Sequence, residues 1–113
     1  MGCIFCEIID KKRPSRIIYE DEFVVAFDDI NPQAPVHVLI IPRKHMPTTL
    51  DLSGEDEIII GYMFRIANEI AKSKGVAERG FRLVLNNNPE SGQTIYHVHL
   101  HLLGGRWMRW PPG

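Results

Sequence analysis

Apolar and polar positions change period several times along this chain. In residues 3–10 (CIFCEIID), Ile4, Phe5 and Ile8 fall at helical spacing, which predicts a short helix, and Pro14 ends that segment. Residues 17–20 and 23–28 are short β-prone runs separated by Asp21-Glu22, the pattern of a hairpin. Residues 29–35 (DINPQAP) read as a loop, since each proline biases its predecessor away from the helix. Residues 36–41 (VHVLII) are apolar on both faces, which predicts a central strand closed by Pro42.

The pattern then turns helical. Ser53 is a good N-cap, followed by Gly54-Glu55-Asp56-Glu57, whose acids complement the helix dipole. Ile59, Met63, Ile66 and Ile70 recur at three- and four-residue spacing, with Tyr62 and Ala67 alongside. Lys72 and Lys74 suit the last turn and Gly75 the C′ position, so the helix is expected to run about five turns. Residues 81–86 and 95–103 read as the last two strands, joined by the polar loop 87–94, and the tail GGRWMRWPPG is irregular. Short connections between strands favour an antiparallel sheet. The expected class is α+β: one long and one short helix with a five-stranded antiparallel sheet, the long helix covering one face.

Length and composition narrow the role. The 113 residues suit one domain, 1–113, with 44% hydrophobic and 24% charged residues. No apolar run reaches the ~18 residues of a membrane span, and the N-terminal charges follow the apolar stretch, the reverse of a secretory signal. With 13 basic and 14 acidic residues, the net charge of −1 argues against long nucleic acids as partners and leaves room for a small anion. Cys3 and Cys6 are too close for a bridge between them to close a useful loop. The expectation is a cytoplasmic protein with free or metal-bound thiols and no membrane partner.

The chemistry concentrates in Tyr96-His97-Val98-His99-Leu100-His101-Leu102. On a strand, Tyr96, Val98, Leu100 and Leu102 share the core face, and His97, His99 and His101 stand in a row on the other. Two readings compete on spacing alone. A His-x-His pair can chelate zinc in a catalytic site. Alternatively, the middle imidazole is a nucleophile, with one ring nitrogen free and the other anchored as a donor. The preceding run, Asn86 to Thr94, collects amide and hydroxyl groups around Gly92, a set suited to phosphate oxygens. Beside a histidine row, that favours the nucleophile.

Residues 92–103 (GQTIYHVHLHLL) closely resemble the signature of the histidine triad (HIT) superfamily. The tail 104–113 resembles the ending of its histidine triad nucleotide-binding branch, usually called Hint, and residues 29–37 and 41–45 extend the likeness over nearly the whole chain. The resemblance implies a HIT-like fold whose dimer joins two sheets into one of ten strands. It also implies hydrolysis of purine nucleoside phosphoramidates, of the AMP-lysine or aminoacyl-adenylate type, through a nucleotidyl-histidine. By family pattern, His99 matches the nucleophile, and His97, His101 and His37 match its supporting histidines. Asn86, Gln93 and Thr94 match phosphate contacts, with Gly92 in the same loop and Thr94 near the leaving amine. Asp29 matches the acid that holds the ribose hydroxyls. Phe5, Ile8, Phe27, Ile30 and Leu39 match or neighbour the purine pocket, where Arg13 replaces an apolar residue. Taken alone, His37 reads as a satisfied core histidine and Asp29 as a turn residue.

Nucleotidylyl transfer, dinucleoside polyphosphate hydrolysis and a nucleotide-binding interaction module are the alternative functions. The Cys-x-x-Cys pair has three readings: a redox motif, for which no strand precedes it; a buried apolar pair; or half of a zinc site. Some bacterial-type HIT proteins resemble this chain and bind structural zinc. Cys3, Cys6, His45 and His97, spaced C-x2-C-x38-H-x51-H, complete such a set if His97 turns toward the N-terminus. Four protein ligands leave no open position for water, so zinc is expected to be structural, with no cofactor needed for the chemistry.

Overall fold

The computed structural model describes residues 2–113. In chain order it contains α1 (Ile4–Ile9), β1 (Ile17–Glu20), β2 (Val24–Asp28), β3 (Val36–Pro42), α2 (Glu57–Ser73), β4 (Phe81–Leu85) and β5 (Leu100–Gly104). The five strands form one antiparallel sheet in the order β1-β2-β3-β5-β4. This is the α+β arrangement expected from the sequence.

The long helix starts one turn later than its capping signal suggests. Ser53 heads a 3-10 turn, Gly54–Asp56, in which the Asp56 carboxylate accepts the Ser53 N–H at 2.8 Å, and α2 follows from Glu57. At the other end Gly75 takes the left-handed conformation (φ +77), and the Val76 N–H returns to the Ala71 carbonyl at 3.0 Å. The face of α2 bearing Met63, Ile66, Ala67, Ile70 and Ala71 is buried against Val24, Ala26, Val38, Ile40, Leu100 and Leu102. Removing these side chains from water is the main stabilising term for the fold, at roughly 1.5–3 kcal/mol for each large one.

The opposite face of the sheet is treated differently. Val25, Phe27, Leu39 and Ile41 point away from α2 and are covered by Phe5 and Ile8 of α1. The registers align Phe27 with Leu39 and Leu39 with His101. A histidine on β5 therefore stands in the same cross-sheet row as the apolar residues beneath α1.

The last strand is shorter than the 95–103 expected, running only from Leu100 to Gly104. Continued from Ile40↔Leu100, the ladder would place Val98 opposite Pro42, which has no N–H to give. The Pro42 carbonyl is taken instead by the His97 ring at 2.8 Å. Val98 turns its own N–H to the Met46 carbonyl at 2.7 Å. Alternation still holds for Val98, Leu100 and Leu102, which are buried on the α2 side. It fails for Tyr96, which is exposed rather than in the core. Loop 87–94 also contains a 3-10 turn, Pro89–Ser91, ended by Gly92 at φ +95.

Candidate active site and the adjoining metal-ligand cluster

Histidines from β3, from β5 and from the loop before β5 converge beneath α1. The Gln33 backbone N–H donates to Nδ1 of His37 at 3.0 Å, so the His37 proton sits on Nε2. That Nε2 faces Nδ1 of His101 at 2.9 Å and donates to it, which leaves the His101 proton on its own Nε2. Asp29, the residue after β2, brings a carboxylate oxygen within 3.4 Å of the same His37 nitrogen. His99 and His101 lie with ring centroids 4.9 Å apart.

His99 is fixed by main chain. Its Nδ1 lies 2.8 Å from the His97 carbonyl, an atom that can only accept. The proton is therefore on Nδ1, and Nε2 carries a free lone pair. The Phe5 ring meets His99 edge-on at 5.1 Å and closes one side of it. Burial pushes His99 and His37 below the usual imidazole range and His101 down to about 4. The row is uncharged at neutral pH, the state that a nitrogen nucleophile requires.

His97 is wired in the other sense. Its Nε2–H goes to the Pro42 carbonyl, so Nδ1 is unprotonated. That Nδ1 lies 3.4 Å from Cys3 Sγ, 3.6 Å from Cys6 Sγ and 3.2 Å from His45 Nδ1, and Cys6 Sγ is 3.5 Å from His45 Nδ1. Tetrahedral zinc with ordinary bond lengths has N···N edges of about 3.3 Å and S···N edges of about 3.5 Å. The four separations match those edges, and all four ligand atoms lie within 4.8 Å of one another. Burial, with Cys3 alongside, pushes the Cys6 thiol up to about 11, and a bound cation would favour its thiolate.

Asp29, His37 and His101 also lie within metal-binding distance of one another. They do not fit a cation. The Gln33 N–H commits the His37 proton to Nε2, the atom facing the other two, so this set is a hydrogen-bond relay.

The remaining sequence-derived residues divide. Phe5, Ile8, Phe27 and Leu39 are buried together under the histidine row. Ile30 is 94% exposed at the rim of a 490 Å³ cleft lined by Asp29 and His37. Half-buried Asn86 directly follows β4, and Gly92 sits at the surface of its loop. Gln93, expected to contact the phosphate, has its side chain engaged within the protein. Its amide donates to the Pro47 carbonyl at 2.8 Å and the Ile95 carbonyl at 3.1 Å, and accepts the Asn88 N–H at 2.7 Å. Both amide protons are thus used in bracing the loop. Thr94 is exposed and lies with Cys3 and His45 in a second cleft. Sequence reading missed Gln33 and Pro42, which act through main-chain groups. The abrupt end of the apolar run at Pro42 was the only available signal.

A fold with this histidine row is that of the HIT domain family. The HIT domain model matches residues 10–108, and the chain belongs to that family. It is 52% identical over 103 residues to the purine nucleoside phosphoramidase of Escherichia coli K12, covering 91% of this chain and 87% of that protein. It is 53% identical over 112 residues to a 14 kDa zinc-binding protein of Zea mays, covering 97% and 87%. The crystal structure of a HIT family hydrolase from Legionella pneumophila superposes with a TM-score of 0.97 at 46% identity, over 99% of this chain and all of that one. Among the described residues, no helix is long and apolar enough to cross a membrane.

Proposed function

We propose that this chain hydrolyses purine nucleoside phosphoramidates, of the AMP-lysine or aminoacyl-adenylate type, through a nucleotidyl intermediate on His99. It acts in the cytoplasm as a homodimer of single-domain chains, each holding one structural zinc. The observation that carries the reading is the bond from His99 Nδ1 to the His97 carbonyl, which leaves Nε2 unprotonated and free to attack. The 52% identity to a purine nucleoside phosphoramidase supports the substrate class.

In the first step the Nε2 lone pair of His99 forms a bond to the α-phosphorus while the phosphorus–nitrogen bond to the amine breaks. The bonding pair leaves on the amine nitrogen, which takes a proton. Water then attacks phosphorus, loses a proton, and the bond to Nε2 breaks to return His99. Two moderate barriers replace one high one. The Gln33–His37–His101 relay presents an N–H from His101 Nε2, suited to a phosphoryl oxygen whose charge grows in the transition state. Asn86 and the backbone around Gly92 serve the phosphate, Gln93 holds that loop in shape, and Thr94 serves the amine. A positioned proton donor of this kind is worth about 10²–10⁴-fold. Asp29 binds the ribose, and the purine lies against Ile30 over Phe5, Ile8, Phe27 and Leu39. Zinc on Cys3, Cys6, His45 and His97 ties α1 to the sheet.

Turnover of a fluorogenic adenosine phosphoramidate tests the reading. His99→Ala is expected to lose essentially all turnover while keeping its fold and nucleotide binding. Retention of more than about a tenth of kcat, a barrier change under ~1.4 kcal/mol, contradicts the assignment.

A further inference from the structure

The N–H that sets the His37 tautomer comes from a loop with few anchors. Residues 30–33 are exposed, and their own bonds are local. The Asn31 N–H donates to the Asp29 carboxylate at 2.9 Å, and the Gln33 side-chain amide donates to the Asn31 carbonyl at 3.0 Å. Among the described residues, the one hydrogen bond that reaches residues 30–34 from outside 29–37 comes from Arg106. Its Nε–H donates to the Gln33 carbonyl at 2.9 Å. The guanidinium is exposed but held at a second atom, with Nη1 donating to the Trp107 carbonyl at 3.2 Å. One residue earlier, Gly105 sits at φ +93, and a Cβ there would lie 2.9 Å from Pro35, so the tail backbone packs directly on the loop.

Gln33 is thus clasped at both ends, its N–H by the His37 ring and its carbonyl by Arg106. A guanidinium donor makes a charge-assisted bond, stronger than a neutral one. If Gln33 turns, His37 Nδ1 loses its donor and is free to carry the ring proton. Nε2 of His37 then becomes an acceptor. His101 answers by donating from Nδ1, which leaves its own Nε2 bare. Each ring still carries one proton, but the atom offered to the phosphoryl oxygen has changed from a donor to a lone pair. The Asp29 carboxylate, 3.4 Å from His37 Nε2, opposes this change more weakly, so loss of the clasp shifts the balance without reversing it fully.

We propose that Arg106 is a positioning residue for the hydrolysis. By holding the Gln33 carbonyl it keeps the Gln33 N–H on His37, and so keeps an N–H on His101 Nε2. It touches neither the substrate nor the reacting atoms. The proposal rests on the hydrolase reading above and deepens it.

The test compares Arg106→Ala and Arg106→Lys with Arg109→Ala, which removes a charge from the same tail. For the fluorogenic adenosine phosphoramidate, Arg106→Ala is expected to lower kcat about tenfold or more with KM within about threefold, because the His101 N–H acts mainly in the transition state. Arg106→Lys, which keeps a cationic N–H donor, and Arg109→Ala should both stay within about threefold of the parent kcat. Long-range proton–nitrogen NMR of the labelled imidazoles reads the tautomers without turnover. The parent should show His37 protonated on Nε2, and Arg106→Ala should show protonation appearing on Nδ1. An unchanged His37 tautomer in Arg106→Ala, an effect on KM alone, or an equal loss in Arg109→Ala overturns the proposal. A parent that turns over no phosphoramidate overturns the hydrolase reading, and the role in hydrolysis falls with it. The NMR comparison then still decides whether Arg106 sets the His37 tautomer.

Discussion

The carbonyl of His97 accepts the Nδ1–H of His99 at 2.8 Å, while the ring of His97 lies among Cys3, Cys6 and His45. One residue thus joins the metal-ligand cluster to the candidate nucleophile. Phe5 strengthens the link, because it lies between Cys3 and Cys6 in sequence and packs against both histidine rings.

The thiol pair should therefore matter first for stability and second for activity. Protein purified without chelator is expected to hold about one zinc per chain. Replacing Cys3→Ser together with Cys6→Ser should remove the metal and lower Tm by more than about 8 °C, about 2 kcal/mol for a chain of this size. Activity should fall only in part, since His99 keeps its carbonyl partner. Elemental analysis with a thermal melt checks this. Zinc near zero in the parent, with both thiols reduced, contradicts it.

Acid should weaken the fold well above the pH at which Asp21 takes up its proton. Burial holds His101 at about 4, against roughly 6.5 in an unfolded chain. Between those values the unfolded state binds a proton that the folded state excludes, so stability is present above about pH 6.5 and is lost as pH falls toward 4. Burial acts on Asp21 in the raising direction, but the hydroxyls of Tyr62 and Tyr19 and the N–H groups of Val24 and Phe23 outweigh it and hold the carboxyl at about 2. Its contribution is lost only below about pH 4. Chemical denaturation at pH 7 and pH 5 should show a loss on the order of 1 kcal/mol, reduced in His101→Gln. Equal stability of the parent at both values contradicts the assignment.

The edge of the sheet bears on assembly. β4 is a terminal strand with all five residues half-buried, and Trp107 and Trp110 in the tail beyond β5 are 90% and 82% exposed. An edge and two indoles left in water are the features that a partner copy covers. Sedimentation at micromolar concentration is expected to give twice the 13.0 kDa chain mass. A monomer under those conditions contradicts the proposed homodimer.

Much of this architecture is legible in the residues because it follows from period. The 3.6-residue spacing of Met63, Ile66 and Ile70 and the run at residues 36–41 each set an element. Alternation through Val98, Leu100 and Leu102 likewise places His97, His99 and His101 on the face away from α2. The wiring of the site is less legible because it runs through main chain. No side-chain pattern reports that the Gln33 N–H, the Pro42 carbonyl and the His97 carbonyl set three histidine tautomers. Gln93 shows the same limit from the other direction. Its place beside the histidines suggests phosphate binding, while the carbonyls of Pro47, between β3 and α2, and of Ile95 take its amide protons.

The central claim is that His99 Nε2 forms a bond to phosphorus. The direct measurement is peptide-resolved mass analysis of wild-type enzyme stopped in base during turnover of an adenosine phosphoramidate, conditions under which a histidyl phosphorus–nitrogen bond survives. The account predicts one adenylyl adduct per modified chain, located on His99 and absent from His99→Ala. An adduct on another residue, or full turnover with no adduct accumulating even in variants slowed in the water step, would contradict it.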